Sequence, residues 1–103
     1  MLASLTMIDV AKAQVPLSAY TDANGFIDVQ ALTCAQLANT YQEDADFLAV
    51  WYSGWYNGLA KKHFAHVPRA KSGEHQLILY CKAHPEMKII QAIDVLLKDE
   101  KQQ

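Results

Sequence analysis

The sequence predicts a small all-α domain, and three observations predict it. Apolar and aromatic residues between Glu43 and His63 recur at about 100° per residue. Ile89, Ile90, Ile93, Leu96 and Leu97 form one stripe on a second helical repeat. Residues that open and close helices bracket both segments.

Taken in order, residues 1–13 read as a signal-peptide remnant or a disordered arm. Met1 to Val10 is mildly apolar, and Ala11-Lys12-Ala13 has the small-x-small form of a cleavage site. A basic start is missing and Asp9 interrupts the apolar run. Residues 14–31 read as an irregular leader with Pro16 and a turn at Asp22-Ala23-Asn24-Gly25. The helical domain is expected over 32–98. Thr33-x-x-Gln36 fits a capping box, in which hydroxyl and amide satisfy unpaired backbone groups. A short helix to about Tyr41 should follow, with Cys34 and Leu37 inward.

The main helix is expected from Glu43 to His63. Glu43, Asp44 and Asp46 suit its positive end, and Lys61 and Lys62 its negative end. Leu48, Trp51, Tyr52, Trp55 and Leu59 share one sector, flanked by Phe47, Gly54 and Gly58 on one side and Tyr56 on the other. The apolar arc covers about 200°, wider than a surface helix requires. One part can enter the core while another meets a partner. Gly54 and Gly58 cost helix propensity, and their spacing invites another backbone to approach.

Val67-Pro68 to Gly73 reads as a basic loop, followed by a mostly buried helix from Glu74 to Ala83 with Leu77, Ile78, Leu79, Tyr80 and Cys81 around its axis. Pro85 is expected to end that helix and open the last one. Residues 99–103 should fray.

A chain of 103 residues that is 51% hydrophobic supports one modest core. Net charge is −2, which gives no pull towards nucleic acid or an anionic membrane. No stretch is long enough to span a bilayer. The halves differ: six acids and one base (Lys12) reach as far as Gly58, and eight bases and five acids follow. The two cysteines, Cys34 and Cys81, form no C-x-x-C pair. One long-range disulfide or two free thiols remain open. Closure of that interval would stabilise the fold by about 4 kcal/mol and would place the chain in an oxidising compartment.

Leu32-Thr33-Cys34-Ala35-Gln36-Leu37, the aromatic helix with Trp51, Tyr80-Cys81-Lys82-Ala83-His84-Pro85 and the closing helix Ile89 to Leu97 together resemble the HdeA/HdeB family of small periplasmic acid-stress chaperones. The resemblance covers about residues 32–97. It implies a small four-to-five-helix orthogonal bundle with one disulfide, Cys34–Cys81. It also implies export to the periplasm, a homodimer at neutral pH, and acid-driven exposure of apolar surface that holds unfolding periplasmic proteins. The Trp51-Tyr52-Ser53-Gly54-Trp55-Tyr56 run and the two helix glycines depart from those chaperones. Fold therefore transfers better than function, and a protein-interaction module acting at neutral pH, such as a toxin-immunity protein, is the alternative.

The expected client-binding or dimer surface comprises Phe47, Trp51, Tyr52, Trp55, Tyr56, Leu77, Ile78 and Ile90. Helical spacing favours packing over a stacking surface for sugars or bases. His63-x-x-His66, with His75 or His84, is the only arrangement that suggests zinc or copper; solvated histidines are the simpler reading, and no metal or cofactor is expected. Helix-start charge accounts for Glu43, Asp44 and Asp46, and no catalytic motif is present. An enzyme is not expected. Near pH 2–3 most of the eleven carboxylates are neutral, and nine Lys and Arg with four His bring the charge to about +13.

Overall fold

The computed structural model describes residues 13–101; the expected remnant or arm at 1–13 lies, but for Ala13, outside the described residues. A 3-10 turn, Leu17–Tyr20, precedes four α-helices: α1 Cys34–Asn39, α2 Gln42–Leu59, α3 Val67–Ala83 and α4 Ile89–Lys101. The all-α expectation holds.

The leader is tied down. Val15 N–H donates to the Asn39 carbonyl at 3.1 Å, and Thr40 Oγ1 donates to the Val15 carbonyl at 2.9 Å. Leu17 N–H donates to Asp44 Oδ2 at 2.8 Å. Asp22 Oδ1 accepts from Asn24 and Phe26, and Gly25 sits at a φ of 86°, which the turn requires and glycine supplies without strain. Leu17, Tyr20, Ile27 and Val29 then pack on the core.

α1 begins with the capping box: Gln36 N–H donates to Thr33 Oγ1 at 3.2 Å, and Thr33 N–H donates to Gln36 Oε1 at 2.9 Å. Its other early N–H groups are met from far along the chain. Cys34 donates to the Met87 carbonyl at 2.7 Å and Ala35 to that of Pro85 at 2.9 Å. Pro85 therefore lies in a turn that caps α1 and does not open α4. The last helix starts four residues later, at Ile89, whose N–H reaches the Leu32 carbonyl at 3.0 Å. It continues to Lys101, beyond the expected end.

α2 stops at Leu59, short of His63. Lys61 N–H bonds the Gly58 carbonyl at 3.0 Å and Lys62 N–H that of Asn57 at 2.9 Å. These two bonds form a Schellman motif. Lys61 occupies its left-handed position at φ 58°, a place usually taken by glycine. The expected basic loop at 67–73 is instead the first two turns of α3. Pro68 stands in the first turn, where no N–H is needed, and His66 Nδ1 caps by accepting from Arg69 N–H at 3.2 Å.

The core is Leu32, Cys34, Leu37, Ala45, Leu48, Tyr52, Leu77, Cys81, Ile89 and Ala92. α3 is not buried all round: only Leu77 and Cys81 are fully inside, and Leu79 faces solvent. Residues 57–73, the distal part of the α2–α3 hairpin, are exposed throughout. The bundle is thus tightly packed around α1 and open at the far end of α2 and α3.

Candidate functional site

Cys34 in the first turn of α1 and Cys81 in the last turn of α3 form a disulfide with Cα atoms 4.5 Å apart. Both are fully buried, and no free cysteine remains. The bond joins two elements that the chain order separates by all of α2. α1 has six residues, too few to persist without tertiary support. The disulfide and the 85–87 turn supply that support.

The aromatic run forms a ladder along α2. Trp51 meets Tyr52 edge-on at 5.9 Å, Trp51 meets Trp55 at 5.7 Å, and Trp55 meets Tyr56 at 5.5 Å. All three pairs fall within the range in which ring pairs attract. Their burial differs sharply. Tyr52 is 2% exposed and its Oη donates to the Val29 carbonyl, tying the leader to α2. Burial pushes its phenol above the ordinary 10, and neighbouring Tyr56 and Asp28 add to the effect. Burial, then Asp94, raises Tyr56 as well. Trp55 and Tyr56 pack half-buried against the core, and Trp51 is 41% exposed.

The eight residues expected at an interface therefore divide three ways. Tyr52 and Leu77 are core and present no surface in the folded state. Trp55, Tyr56, Ile78 and Ile90 form a half-buried layer over that core. Phe47 and Trp51 are exposed. The structure adds residues that periodicity did not single out, Val50, Phe64 (85% exposed) and Val67, and it exposes Leu59 of the apolar sector as well. Val50 and Phe64 line a cleft of about 390 Å³ between α2 and the start of α3, together with Ala49, Gly54, Gly58 and Ala70. Gly54 and Gly58 have no atom within 4 Å of where a Cβ would stand. Among the described residues, no other part of this chain uses the access they offer.

The helix expected to carry His63 and His66 does not reach them. α2 ends before His63, whose ring lies on Phe64 at 4.3 Å, and His66 Nδ1 is engaged as the α3 cap. His84 stacks on Tyr80 at 4.1 Å, with Nδ1 2.9 Å from the Tyr80 carbonyl. Among the described residues, no three His, Cys, Asp or Glu side chains converge on a metal position.

The acids at the start of α2 do more than complement its dipole. Asp44 anchors the leader, as described above. Gln42 Nε2 donates to Asp46 Oδ1 at 2.9 Å and to Glu74 Oε2 of α3 at 3.3 Å. Burial first, then the adjacent Asp46, pushes the Glu74 carboxyl up to about 7. Hydrogen bonds from Glu74 and then Gln42 hold Asp46 below its usual range. Sequence reading missed this pairing because Gln42 and Glu74 stand 32 positions apart.

Residues 1–91 match the HdeA/HdeB family. The match takes in the leader and α1 to α3 and ends in the first turn of α4. No curated protein and no solved structure matches the chain. Among the described residues, no helix is long and apolar enough to cross a membrane. The all-α bundle, its Cys34–Cys81 disulfide and the extent of the match lead to one conclusion: the chain belongs to the HdeA/HdeB family, known for periplasmic acid-stress chaperones and not for enzymes.

Proposed function

We propose that this protein is exported to the periplasm and acts as an acid-stress chaperone, opening at low pH to bind unfolding proteins through apolar surface. The observation that carries this reading is the contrast within the α2–α3 hairpin. Its base is covalently tied at Cys81, while its distal residues 57–73 are wholly exposed and include Leu59, Phe64 and Val67. At neutral pH a second copy covers part of this surface and the exposed Phe47, Val50 and Trp51 of α2. In strong acid the carboxylates lose their charge, nine Lys and Arg with four His repel one another, and both the dimer and the hairpin loosen. The half-buried Trp55, Tyr56, Ile78 and Ile90 then join the exposed set, and the disulfide limits how far the chain expands.

The protein at pH 2.5 should bind a hydrophobic dye and suppress aggregation of an acid-denatured client at roughly stoichiometric amounts. Neither dye binding nor suppression at that pH would remove the reading. The apolar cleft already present in the folded chain favours one alternative: a module that docks a dedicated protein partner at neutral pH. Capture of a single folded partner at pH 7, with no activity at pH 2.5, would select it.

A further inference from the structure

We propose that Asp46 of α2 and Glu74 of α3 share one proton beneath the Gln42 amide, forming a clasp that holds the two helices together in mild acid. Gln42 Nε2 lies 2.9 Å from Asp46 Oδ1 and 3.3 Å from Glu74 Oε2. Its two amide hydrogens serve one carboxyl each. Two oxygens bonded to one nitrogen lie no more than about 6 Å apart, close enough for a second negative charge to be disfavoured. A proton on Glu74 turns that repulsion into a hydrogen bond to the Asp46 carboxylate. Among the described residues, no other side-chain hydrogen bond joins α2 to α3. The clasp joins the first turns of α2 to Glu74, which follows the exposed stretch 57–73 in α3.

Other charged groups surround the pair. Lys71, His75 and Lys82 of α3 line a cavity of about 280 Å³ with Gln42 and Glu74. Lys62 and His63, just after α2, line the cleft on the other side with Lys71 and Glu74. None of them is a cause of the Glu74 shift, which comes from burial and Asp46, opposed by Gln42.

The sign follows from the two directions. Glu74 is raised from 4.5 to about 7. Its contribution is therefore complete below pH 4.5 and lost as the pH rises through about 7. Asp46 is lowered from 3.8, so its contribution is present above 3.8 and lost as the pH falls through the lower folded value. Their sum is largest near pH 4 and falls on both sides. Acid thus first tightens the α2–α3 contact and only later releases it. In the chaperone reading, on which this one consequence rests, opening is delayed until strong acid.

Side-chain carboxyl NMR on the full chain, with urea unfolding of the wild type and Glu74→Gln between pH 4 and 8, tests the clasp without any client. Glu74 should titrate near 7 and Asp46 below 3.8. Asp46→Asn should bring the Glu74 midpoint down. Glu74→Gln keeps a donor for Asp46 at every pH. The ratio of its folding constant to that of the wild type should rise about tenfold or more from pH 4 to 8, after allowance for solvent around a partly exposed pair. A Glu74 midpoint near 4.5, or parallel pH dependence of the two proteins, would overturn the proposal. Neither result depends on whether the protein suppresses aggregation.

Discussion

Replacing both Cys34 and Cys81 with alanine should remove about 4 kcal/mol of stability, given a sequence separation of 47 residues. A domain of this size has roughly 5–15 kcal/mol in total. The melting temperature should fall by about 15–30 °C. The loss is not spread evenly. α1 relies on Thr33, on the carbonyls of Pro85 and Met87, and on the bond from Cys34 to α3. Without that bond the six-residue helix has no covalent partner, and the leader that hangs from Asn39 and Thr40 loosens with it. Serine replacements should cost more than alanine, because both positions are fully buried and each hydroxyl would need a partner. Thermal unfolding by circular dichroism, oxidised against double-alanine, checks the figure. A double-alanine protein that melts within a few degrees of the wild type would show that packing alone holds α1.

Tyr52→Ala should destabilise the fold by about 3–5 kcal/mol, the range for deleting a large buried aromatic side chain. Tyr52 is the largest fully buried side chain, and it is where the leader, α2 and the core meet. Tyr52→Phe separates the two parts of that role. It keeps the ring and removes only the hydrogen bond to the Val29 carbonyl, so its cost should be about 1 kcal/mol. The raised phenol pKa adds a pH signature. The contribution of Tyr52 is complete below the ordinary value of 10 and is lost as the pH rises towards the higher folded value. Urea unfolding of the three proteins at pH 7 and pH 10.5 should show the wild type losing stability at the higher pH by more than Tyr52→Phe does. Equal costs for the alanine and phenylalanine variants would mean the hydrogen bond, not the ring, dominates.

The readable parts of this fold are those written over three or four consecutive positions. Thr33 and Gln36 announce the start of α1, and both expected hydrogen bonds are present. Leu48 and Ile89 lie on the apolar stripes that spacing marks, and both are buried. The misreadings have a common cause in contacts set by distant residues. Pro85 suits a helix start locally, yet its carbonyl is committed to Ala35. Pro68 and Gly73 look like loop residues. Pro68 occupies the first turn of α3, where no N–H is needed, and Gly73 costs helix propensity without interrupting the helix. Leu79 is exposed because burial within α3 is confined to the side carrying Leu77 and Cys81, which apolar character cannot reveal. α2 ends at a left-handed lysine, a position for which sequence offers glycine as the usual sign.

The candidate surface was legible in the same limited way. Periodicity places Trp51, Tyr52, Trp55 and Tyr56 together, and the structure joins them in one ladder. It does not tell Tyr52 in the core from Trp51 at the surface. Phe64 and Val67 escaped notice because they lie at the end of the hairpin, beside a helix start that reads as a loop. The Asp46–Gln42–Glu74 contact joins two helices and has no local signature at all.

Acid-induced opening of a bundle that stays covalently closed is best tested by the emission of its two tryptophans during a titration of the oxidised protein from pH 7 to pH 2. Trp51 and Trp55 both lie on α2, one partly exposed and one packed on the core. The emission should hold steady through the mildly acidic range and then shift to the red below about pH 3 as Trp55 meets water. An unchanged spectrum down to pH 2 would mean that acid leaves the bundle shut, and the chaperone account would fail with it.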